Sequence, residues 1–275
     1  MQSINNKFIF SKEYYISAGD GNAEGNLAIT RLTEMLIDIA TEHANSLGIG
    51  NTDMKNINAG WVLSRLTIEM QSHPLVNDSI VIETWVEGWN RHFSERCFRI
   101  KNVNGTCHGY ARSIWMVMTT DSHENYGLSH LSLPQGAIME KIAPIQRQAK
   151  HCPILPIGSP QDPKSLIATS PDSFYTFKYC DLDFYRHVNT VKYVMILLNQ
   201  FTLDQFDRNE IMRIELSFLH EGHYGMEVAV RRCDTSDKET SFLVLSTSDN
   251  QPLLYSRVSL RPRSPKLVNA EIAYL

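Results

Sequence analysis

Paired cysteines are missing from this sequence. Its five cysteines are scattered along the chain, odd in number and without a CxxC spacing: Cys97, Cys107, Cys152, Cys180 and Cys233. A disulfide framework and a structural zinc site both need paired or regularly spaced cysteines, so the pattern argues against both. No stretch reaches the ~18 uninterrupted apolar residues of a membrane span. The first residues also lack the basic start and apolar core of a signal peptide. We therefore expect a reduced, cytoplasmic protein without a membrane span.

Charge of one sign is not concentrated anywhere in the chain. The formal net charge is -4, with 26 basic and 30 acidic residues. This balance does not favour a nucleic-acid partner. Hydrophobic residues make up 43% of the 275 residues, which allows a sizeable core in one large domain or two of ordinary size.

Proline is unevenly distributed and divides the chain. Seven of the eleven prolines fall between residues 134 and 171. Because proline lacks a backbone donor and disfavours helix before it, this region is predicted to be irregular, with one short helix near residues 136–143. The predicted organisation is an N-terminal domain over residues 1–133, a linker over 134–172 and a C-terminal domain over 173–275.

The two halves resemble each other. Each has one helix with an apolar stripe: Leu32, Met35, Leu36, Ile39 and Leu47 in the first half, and Val191, Val194, Met195, Leu198 and Phe201 in the second. About four strand-like segments follow each helix, with hairpin turns at Asn104-Gly105 and near Asp249-Asn250. The pattern predicts an α+β fold with two long helices, each wrapped by an antiparallel sheet. Ahead of the helices, Asp20 aligns with Asp183 and Asn26 with Asn189.

Two short motifs suggest chemistry that their spacing does not support. GDGNAEG at residues 19–25 is spaced GxGxxxG, and no βαβ alternation follows it, so we interpret it as a turn. HEGH places His220 and His223 three apart in a predicted strand, whereas a zincin needs histidines four apart on a helix. We expect no metal and no cofactor.

The segment DLDFYRHVNTVKYV at residues 181–194 carries the candidate site. By spacing alone, Asp183 fits a turn-former and His187 a residue flanking a helix, both bonded to backbone. They could also share one side of an extended loop, where the carboxylate would orient the imidazole. Glu221, on the predicted strand after the helix, could supply a second acid or base. The helix start near Asn189 offers N–H groups to a developing oxyanion. Together these residues suggest a hydrolase site that activates water.

These residues resemble those of a known family. The acyl-acyl-carrier-protein (acyl-ACP) thioesterases of plant plastids and bacteria carry a motif of the type DLDxNxHVNNVKY, and this chain has DLDFYRHVNTVKY from Asp181 to Tyr193. LSFLHEGHYG at 216–225 resembles the family segment that holds its catalytic glutamate. Residues 60–86 and 111–118 resemble its N-terminal domain. The transit peptide of the plant proteins is missing, as expected of a bacterial-type member.

The resemblance implies a tandem hot-dog fold and hydrolysis of the thioester between a fatty acyl chain and the phosphopantetheine arm of acyl carrier protein. It implies a role in fatty acid biosynthesis and the catalytic residues Asp183, His187 and Glu221. The family has an asparagine where this chain has Tyr185, whose side chain could line the pocket instead of replacing that amide. Tyr185 and, at the helix start, Asn189 are possible auxiliary residues. The residue after the glutamate, once proposed as a cysteine nucleophile in plant members, is Gly222. This favours activated water over a covalent acyl-enzyme.

The first half is expected to have lost the chemistry. By the alignment of the repeats, Glu24 stands at the position of His187 and His73 at that of Glu221. The resemblance assigns this half the acyl-chain tunnel, with Trp61, Leu63 and Trp115 as candidate lining. An acidic carrier protein needs a basic docking patch; the candidates are Lys178, Arg186 and Lys192.

Other functions remain open at this point. A thioesterase or dehydratase that acts on coenzyme A esters would have the same fold, and so would a non-catalytic acyl-binding module. The tandem repeat already resembles a hot-dog dimer, so the chain is expected to be a monomer or a homodimer.

Overall fold

The computed structural model describes residues 8–121, 124–139 and 143–263. The chain divides into two compact units: residues 1–149 together with 215–219, and residues 150–214 together with 220–275. The linker and domain boundaries inferred from proline remain a prediction. Across the described ranges, no helix combines the length and apolar character needed to cross a membrane.

The described residues up to 149 form two α-helices and five strands. In chain order they are β1 (Phe10–Tyr15), α1 (Ile29–Ser46), α2 (Asn51–Lys55), β2 (Ala59–Met70), β3 (Ser79–Trp89), β4 (Ser94–Asn102) and β5 (Cys107–Thr119). The strands pair antiparallel in the order β1-β3-β4-β5-β2. Helix α1 lies against β1 and β3.

Helix α1 follows the predicted apolar stripe. Leu32, Met35, Leu36 and Ile39 are all buried, because residues three and four apart lie on one face of a helix. The helix ends before Gly48, whose φ of +73° is a left-handed conformation that glycine adopts without strain. The prediction of this helix is confirmed. The hairpin between β4 and β5 also turns as predicted, with Gly105 at a φ of +90°.

The remaining elements belong to the second unit, except that residues 215–218 of β9 are grouped with the first. They are β6 (Ile154–Leu155), β7 (Leu166–Ile167), β8 (Ser173–Thr176), α3 (Thr190–Leu198), α4 (Leu203–Arg208), β9 (Asn209–Phe218), β10 (Glu227–Ser236), β11 (Glu239–Ser246) and β12 (Pro252–Pro262). Strands β9-β12-β11-β10-β8 are neighbours in that order. The α+β class is confirmed. The helix expected near residues 136–143 is not formed by the described part of that range, which lacks 140–142.

The second predicted helix is shorter than expected. Helix α3 has 9 residues and α1 has 18, so only the first is long. Asn199 ends α3, and Thr202 starts α4 by accepting a hydrogen bond from the Gln205 N–H. Met195, assigned to the apolar stripe, is exposed, and Phe201 is buried beyond the helix end against Phe242. The sequence has no glycine or proline between residues 199 and 202. The apolar pattern therefore predicted a helix that continued to Phe201.

The loops ahead of α1 and α3 repeat each other, two residues out of the predicted register. A 3₁₀ turn precedes each helix, at Ala18–Asp20 and at Tyr179–Asp181. Asp20 accepts the Ser17 N–H and Asp181 accepts the Lys178 N–H, so Asp20 corresponds to Asp181 rather than to Asp183. The segment Asp181-Leu182-Asp183 contains two aspartates, and only the backbone hydrogen bonds show which of them corresponds to Asp20.

The corrected register changes the counterpart of His187. The Asn22 N–H donates to the Asn26 carbonyl, as the Asp183 N–H does to the His187 carbonyl, so His187 corresponds to Asn26 rather than to Glu24. The Leu27 N–H donates to Pro74 where Val188 donates to Gly222, which keeps His73 opposite Glu221. Asn26 is 2% exposed and its amide does not titrate, so it cannot serve as the base that an imidazole provides.

Candidate active site

A tight loop between the 3₁₀ turn and α3 carries His187. The Asp183 N–H donates to the His187 carbonyl over 2.8 Å, and the Arg186 N–H donates to the Asp183 carbonyl over 3.0 Å. Arg186 adopts a left-handed conformation with a φ of +68°. The segment is therefore a closed turn, and the extended loop expected from the alternation of residues is wrong.

Asp183 organises this turn through its side chain. Its Oδ1 accepts the N–H of Tyr185 at 2.8 Å and the N–H of His187 at 3.1 Å. Both bonds are made to main-chain N–H groups, as in other Asx turns. The carboxylate thus fixes the backbone of His187, which is the role of turn-former that the spacing suggested for Asp183. These two bonds do not involve the imidazole.

The His187 ring faces Glu221. His187 Nε2 lies 3.3 Å from Glu221 Oε2, and the two side chains are 29% and 33% exposed. A carboxylate at this distance can orient an imidazole and share a proton with it. Because both groups keep contact with solvent, a water molecule can reach the pair.

Glu221 lies beyond the strand to which it was assigned. Strand β9 ends at Phe218, and the chain from Glu221 on is paired with the His187 loop. The Val188 N–H donates to the Gly222 carbonyl over 2.8 Å, and His187 and His223 form an antiparallel bridge. This pairing joins two segments that are distant in sequence and brings Glu221 to the histidine.

His220 and His223 do not form the metal pair that HEGH suggests. The His220 Nδ1 lies 2.8 Å from the Pro252 carbonyl, whereas the His223 ring lies edge-on to His187, with ring centroids 5.3 Å apart. Within the described part of the chain, no three His, Cys, Asp or Glu side chains come together as metal ligands would. His223 is a neighbour of the candidate histidine that the sequence did not identify.

Asn189 caps helix α3. Its Oδ1 accepts the Val191 N–H at 2.9 Å, and its carbonyl accepts the Lys192 N–H at 3.0 Å. Two N–H groups at the helix start are therefore engaged by Asn189 itself, which limits the oxyanion role expected of them. Asn189 acts on the helix, and the helix holds the loop that carries His187.

Tyr185 packs beside the site. Its ring lies 4.1 Å from the Phe184 ring, centroid to centroid. Burial, and to a lesser extent the negative charge of Asp183, raise the pKa of the Tyr185 phenol. The hydroxyl therefore stays protonated and can donate a hydrogen bond.

Tyr193 and Gly222 were not predicted as site residues. Tyr193 is 3% exposed, in the first half of α3. Burial first, and then the charge of Glu221, raise the pKa of its phenol well above the ordinary range. A signal was present in the sequence, because Tyr193 closes the family motif and lies four residues after Asn189, the cap of α3.

The three basic candidates differ in what they contact. Lys178 and Arg186 are exposed, whereas the Lys192 Nζ lies 3.8 Å from Asp181 Oδ1. Asp181 is buried and also accepts the Tyr175 hydroxyl at 3.0 Å, so it ties Lys192 into the loop. Of the three candidates, Lys178 and Arg186 are therefore the more accessible to a partner.

The candidate lining residues lie in the first unit. The Trp61 Nε1 donates to the Ile49 carbonyl over 2.7 Å, and its ring lies edge-on to Trp89 at 6.0 Å. Leu63 is buried in β2 and is paired in register with Trp115 of β5. Trp61 thus packs in an apolar cluster, and the lining role stays a prediction.

Two sequence models of one protein family match successive parts of the chain. The sequence model of the acyl-ACP thioesterase N-terminal domain matches residues 7–126, and that of the C-terminal domain matches residues 165–253. Oleoyl-acyl carrier protein thioesterase 1 of Arabidopsis thaliana, a chloroplast protein, is 24% identical over 77% of this chain and 60% of its own length. A chloroplast palmitoyl-acyl carrier protein thioesterase of Gossypium hirsutum is 22% identical over 96% of this chain and 66% of its own. The chain thus spans less than two thirds of either plant protein.

Solved structures of acyl-ACP thioesterases superpose on most of this chain. An acyl-ACP thioesterase from Bacteroides thetaiotaomicron superposes with a TM-score of 0.81 at 25% identity, over 92% of this chain and 98% of that one. The 12:0-ACP thioesterase of Umbellularia californica superposes with a TM-score of 0.76 at 18% identity, over 93% and 98%. These likenesses confirm the tandem hot-dog fold.

Proposed function

Because the chain belongs to the acyl-ACP thioesterase family, we propose that it hydrolyses fatty acyl-ACP to free fatty acid and holo-ACP. The proposed substrate is a fatty acyl chain in thioester linkage to the phosphopantetheine arm of acyl carrier protein. Hydrolysis would end acyl-chain growth on the carrier, a step of fatty acid biosynthesis. The five cysteines are all unpaired, which supports a reducing compartment such as the cytoplasm.

The contact between His187 and Glu221 carries this proposal. In the proposed reaction, a water oxygen attacks the thioester carbonyl carbon while the His187–Glu221 pair takes the proton of that water. The C–S bond then breaks, and the His187–Glu221 pair returns the proton to the departing sulfur, which becomes the thiol of the carrier arm. Asp183 keeps the histidine in place through the backbone N–H groups that it accepts.

Position 222 supports water as the nucleophile. Gly222 has no side chain, and a Cβ built there would lie only 2.5 Å from the Tyr193 hydroxyl oxygen. A residue with a nucleophilic side chain does not fit at this place in the loop. The lack of a nucleophilic side chain at position 222 supports a water held by the carboxylate and the imidazole as the nucleophile.

The first unit is proposed to bind the acyl chain, with Trp61, Leu63 and Trp115 as its lining. The exposed Lys178 and Arg186, with Lys192, are proposed to receive the acidic carrier protein. Both roles rest on the family likeness together with the positions of these residues in the two units.

Release of free thiol from acyl-ACP and acyl-CoA of matched chain length tests the proposal. We expect faster turnover of acyl-ACP at each length, because only that substrate presents the carrier surface. Comparable or faster turnover of acyl-CoA would contradict the carrier-protein assignment. Binding of both substrates without thiol release would instead show an acyl-binding module.

A further inference from the structure

Gly222 is confined from three sides. A Cβ built on it would lie 2.5 Å from Tyr193 Oη, 2.9 Å from Val188 Cγ2 and 3.1 Å from Phe177 Cε2. The backbone of Gly222 is not left-handed, so the need for glycine comes from lack of space and not from φ. The nearest of the three atoms is a polar one, the phenol oxygen.

The Tyr193 side chain is rigidly held. It is buried on α3, and its ring packs edge-on to Phe177 with centroids 5.5 Å apart. A buried aromatic ring clamped between a helix and a neighbouring ring has little freedom to move. The phenol oxygen is therefore a fixed point on the side of Gly222 where a Cβ would stand.

The same peptide determines where Glu221 lies. The Gly222 carbonyl accepts the Val188 N–H at 2.8 Å, which fixes the far side of the residue. Gly222 is thus held at its carbonyl by the His187 loop and confined at its Cα by the phenol, and Glu221 directly precedes it. The Glu221 carboxylate then reaches His187 Nε2 at 3.3 Å.

We propose that Tyr193 is a positioning residue: its buried hydroxyl holds the Glu221–Gly222 peptide so that the Glu221 carboxylate stays within reach of the His187 imidazole. This inference rests on the proposed function. Tyr193 acts through Glu221 and touches neither the substrate nor the attacking water.

The test is a double-mutant cycle between Tyr193→Phe and Glu221→Gln, with kcat and KM measured on acyl-ACP. Loss of the hydroxyl releases the peptide, and small displacements of a catalytic group are costly. We expect Tyr193→Phe to lower kcat about 10-fold, with KM within about twofold of wild type. In the Glu221→Gln background the same change should lower kcat by less than about twofold, because the group that it positions is gone.

Tyr224→Phe is the matched control. It removes the same atom from an exposed tyrosine two residues after Gly222, and it should leave kcat and the thermal unfolding midpoint unchanged. Should Tyr193→Phe fail to fold, Gly222→Ala acts on the same contact from the other side. It should likewise lower kcat in the wild-type background and have little effect beside Glu221→Gln.

The outcomes separate this inference from the proposed function. Wild-type kcat in Tyr193→Phe contradicts the positioning role, and so does a 10-fold loss that persists in the Glu221→Gln background. Wild-type turnover in Glu221→Gln alone would instead overturn the proposed active site.

Discussion

His187 Nε2 lies 3.3 Å from Glu221 Oε2 because the main chain pairs one residue further on, between Val188 and Gly222. The two residues are far apart in sequence, and one backbone hydrogen bond between their neighbours brings the imidazole and the carboxylate together. The first prediction concerns this pair. Glu221→Gln and His187→Ala should each lower kcat on acyl-ACP by at least ~100-fold, the usual contribution of a general acid or base.

The control for that prediction is Glu13→Gln, which makes the same change to an exposed carboxylate on β1. It should retain wild-type turnover. Steady-state kinetics gives kcat for all three variants, and circular dichroism checks that each of them is folded. If both site variants turn over like the control, the active site lies elsewhere.

Asp183 allows its structural and chemical roles to be separated. Asp183→Asn keeps an oxygen that can accept the N–H groups of Tyr185 and His187, whereas Asp183→Ala loses it. We expect the alanine variant to lose about 1–2 kcal/mol of unfolding free energy and the asparagine variant about 0.5 kcal/mol or less. Urea unfolding measures the difference.

In the first unit, Asn22 Oδ1 already accepts the Asn26 N–H at 2.8 Å, which shows that an amide can close this loop. A loss of kcat in Asp183→Asn without a loss of stability therefore reports on the negative charge. We expect about 100-fold. Wild-type kcat in this variant would reduce Asp183 to an organiser of the turn.

Tyr185 is expected to contribute its ring rather than its hydroxyl. Its ring packs against Phe184, and the raised pKa of the phenol keeps it neutral. Tyr185→Phe should keep kcat on acyl-ACP within about twofold, since the aromatic contact survives. Tyr185→Asn, which introduces the amide of the family motif, serves as the comparison. Higher turnover in the asparagine variant than in the phenylalanine variant would show that a hydrogen-bonding group matters here.

His43 makes stability depend on pH. Burial, and then the positive charge of Arg96, lower the pKa of His43 from 6.5 to about 3 in the folded protein. Between these values the unfolded chain binds a proton that the folded chain does not, so the unfolding free energy falls as the pH is lowered from 6.5. The slope contributed by one such group is at most about 1.4 kcal/mol per pH unit.

Urea unfolding between pH 4.5 and 6.5 checks this prediction, above the range in which most carboxylates titrate. His43→Gln should flatten the slope in this window, whereas His92→Gln, at an exposed position, should leave it unchanged. An equal slope in wild type and His43→Gln would assign the acid sensitivity to other groups.

The exposed basic residues should act on the carrier protein and not on the chemistry. Lys178→Glu with Arg186→Glu is expected to lower kcat/KM on acyl-ACP about 10-fold at low salt, and less as salt is added. Turnover of the acyl-pantetheine thioester, which has no protein surface, should stay the same. Lys238→Glu, on the exposed turn between β10 and β11, is the control. Equal losses on both substrates would mean that the charges affect the site itself.

Local patterns in the sequence were enough to predict α1, the Asn104-Gly105 hairpin and the motif that holds His187. Each of these depends on residues close together in sequence. The end of α3 escaped prediction because no glycine or proline marks it, and Asn199 and Thr202 end one helix and start the next. The support that Tyr193 gives to Gly222 also escaped, because it depends on packing between segments that the sequence places far apart.

The turn ahead of each helix keeps the same backbone with different side chains. Equivalent main-chain bonds close it in both units, with Asn22 and Asn26 in one and Asp183 and His187 in the other. The backbone thus accepts either pair of side chains. After a gene duplication, one unit could therefore exchange its titratable groups for amides without unfolding. The other unit could keep the titratable groups.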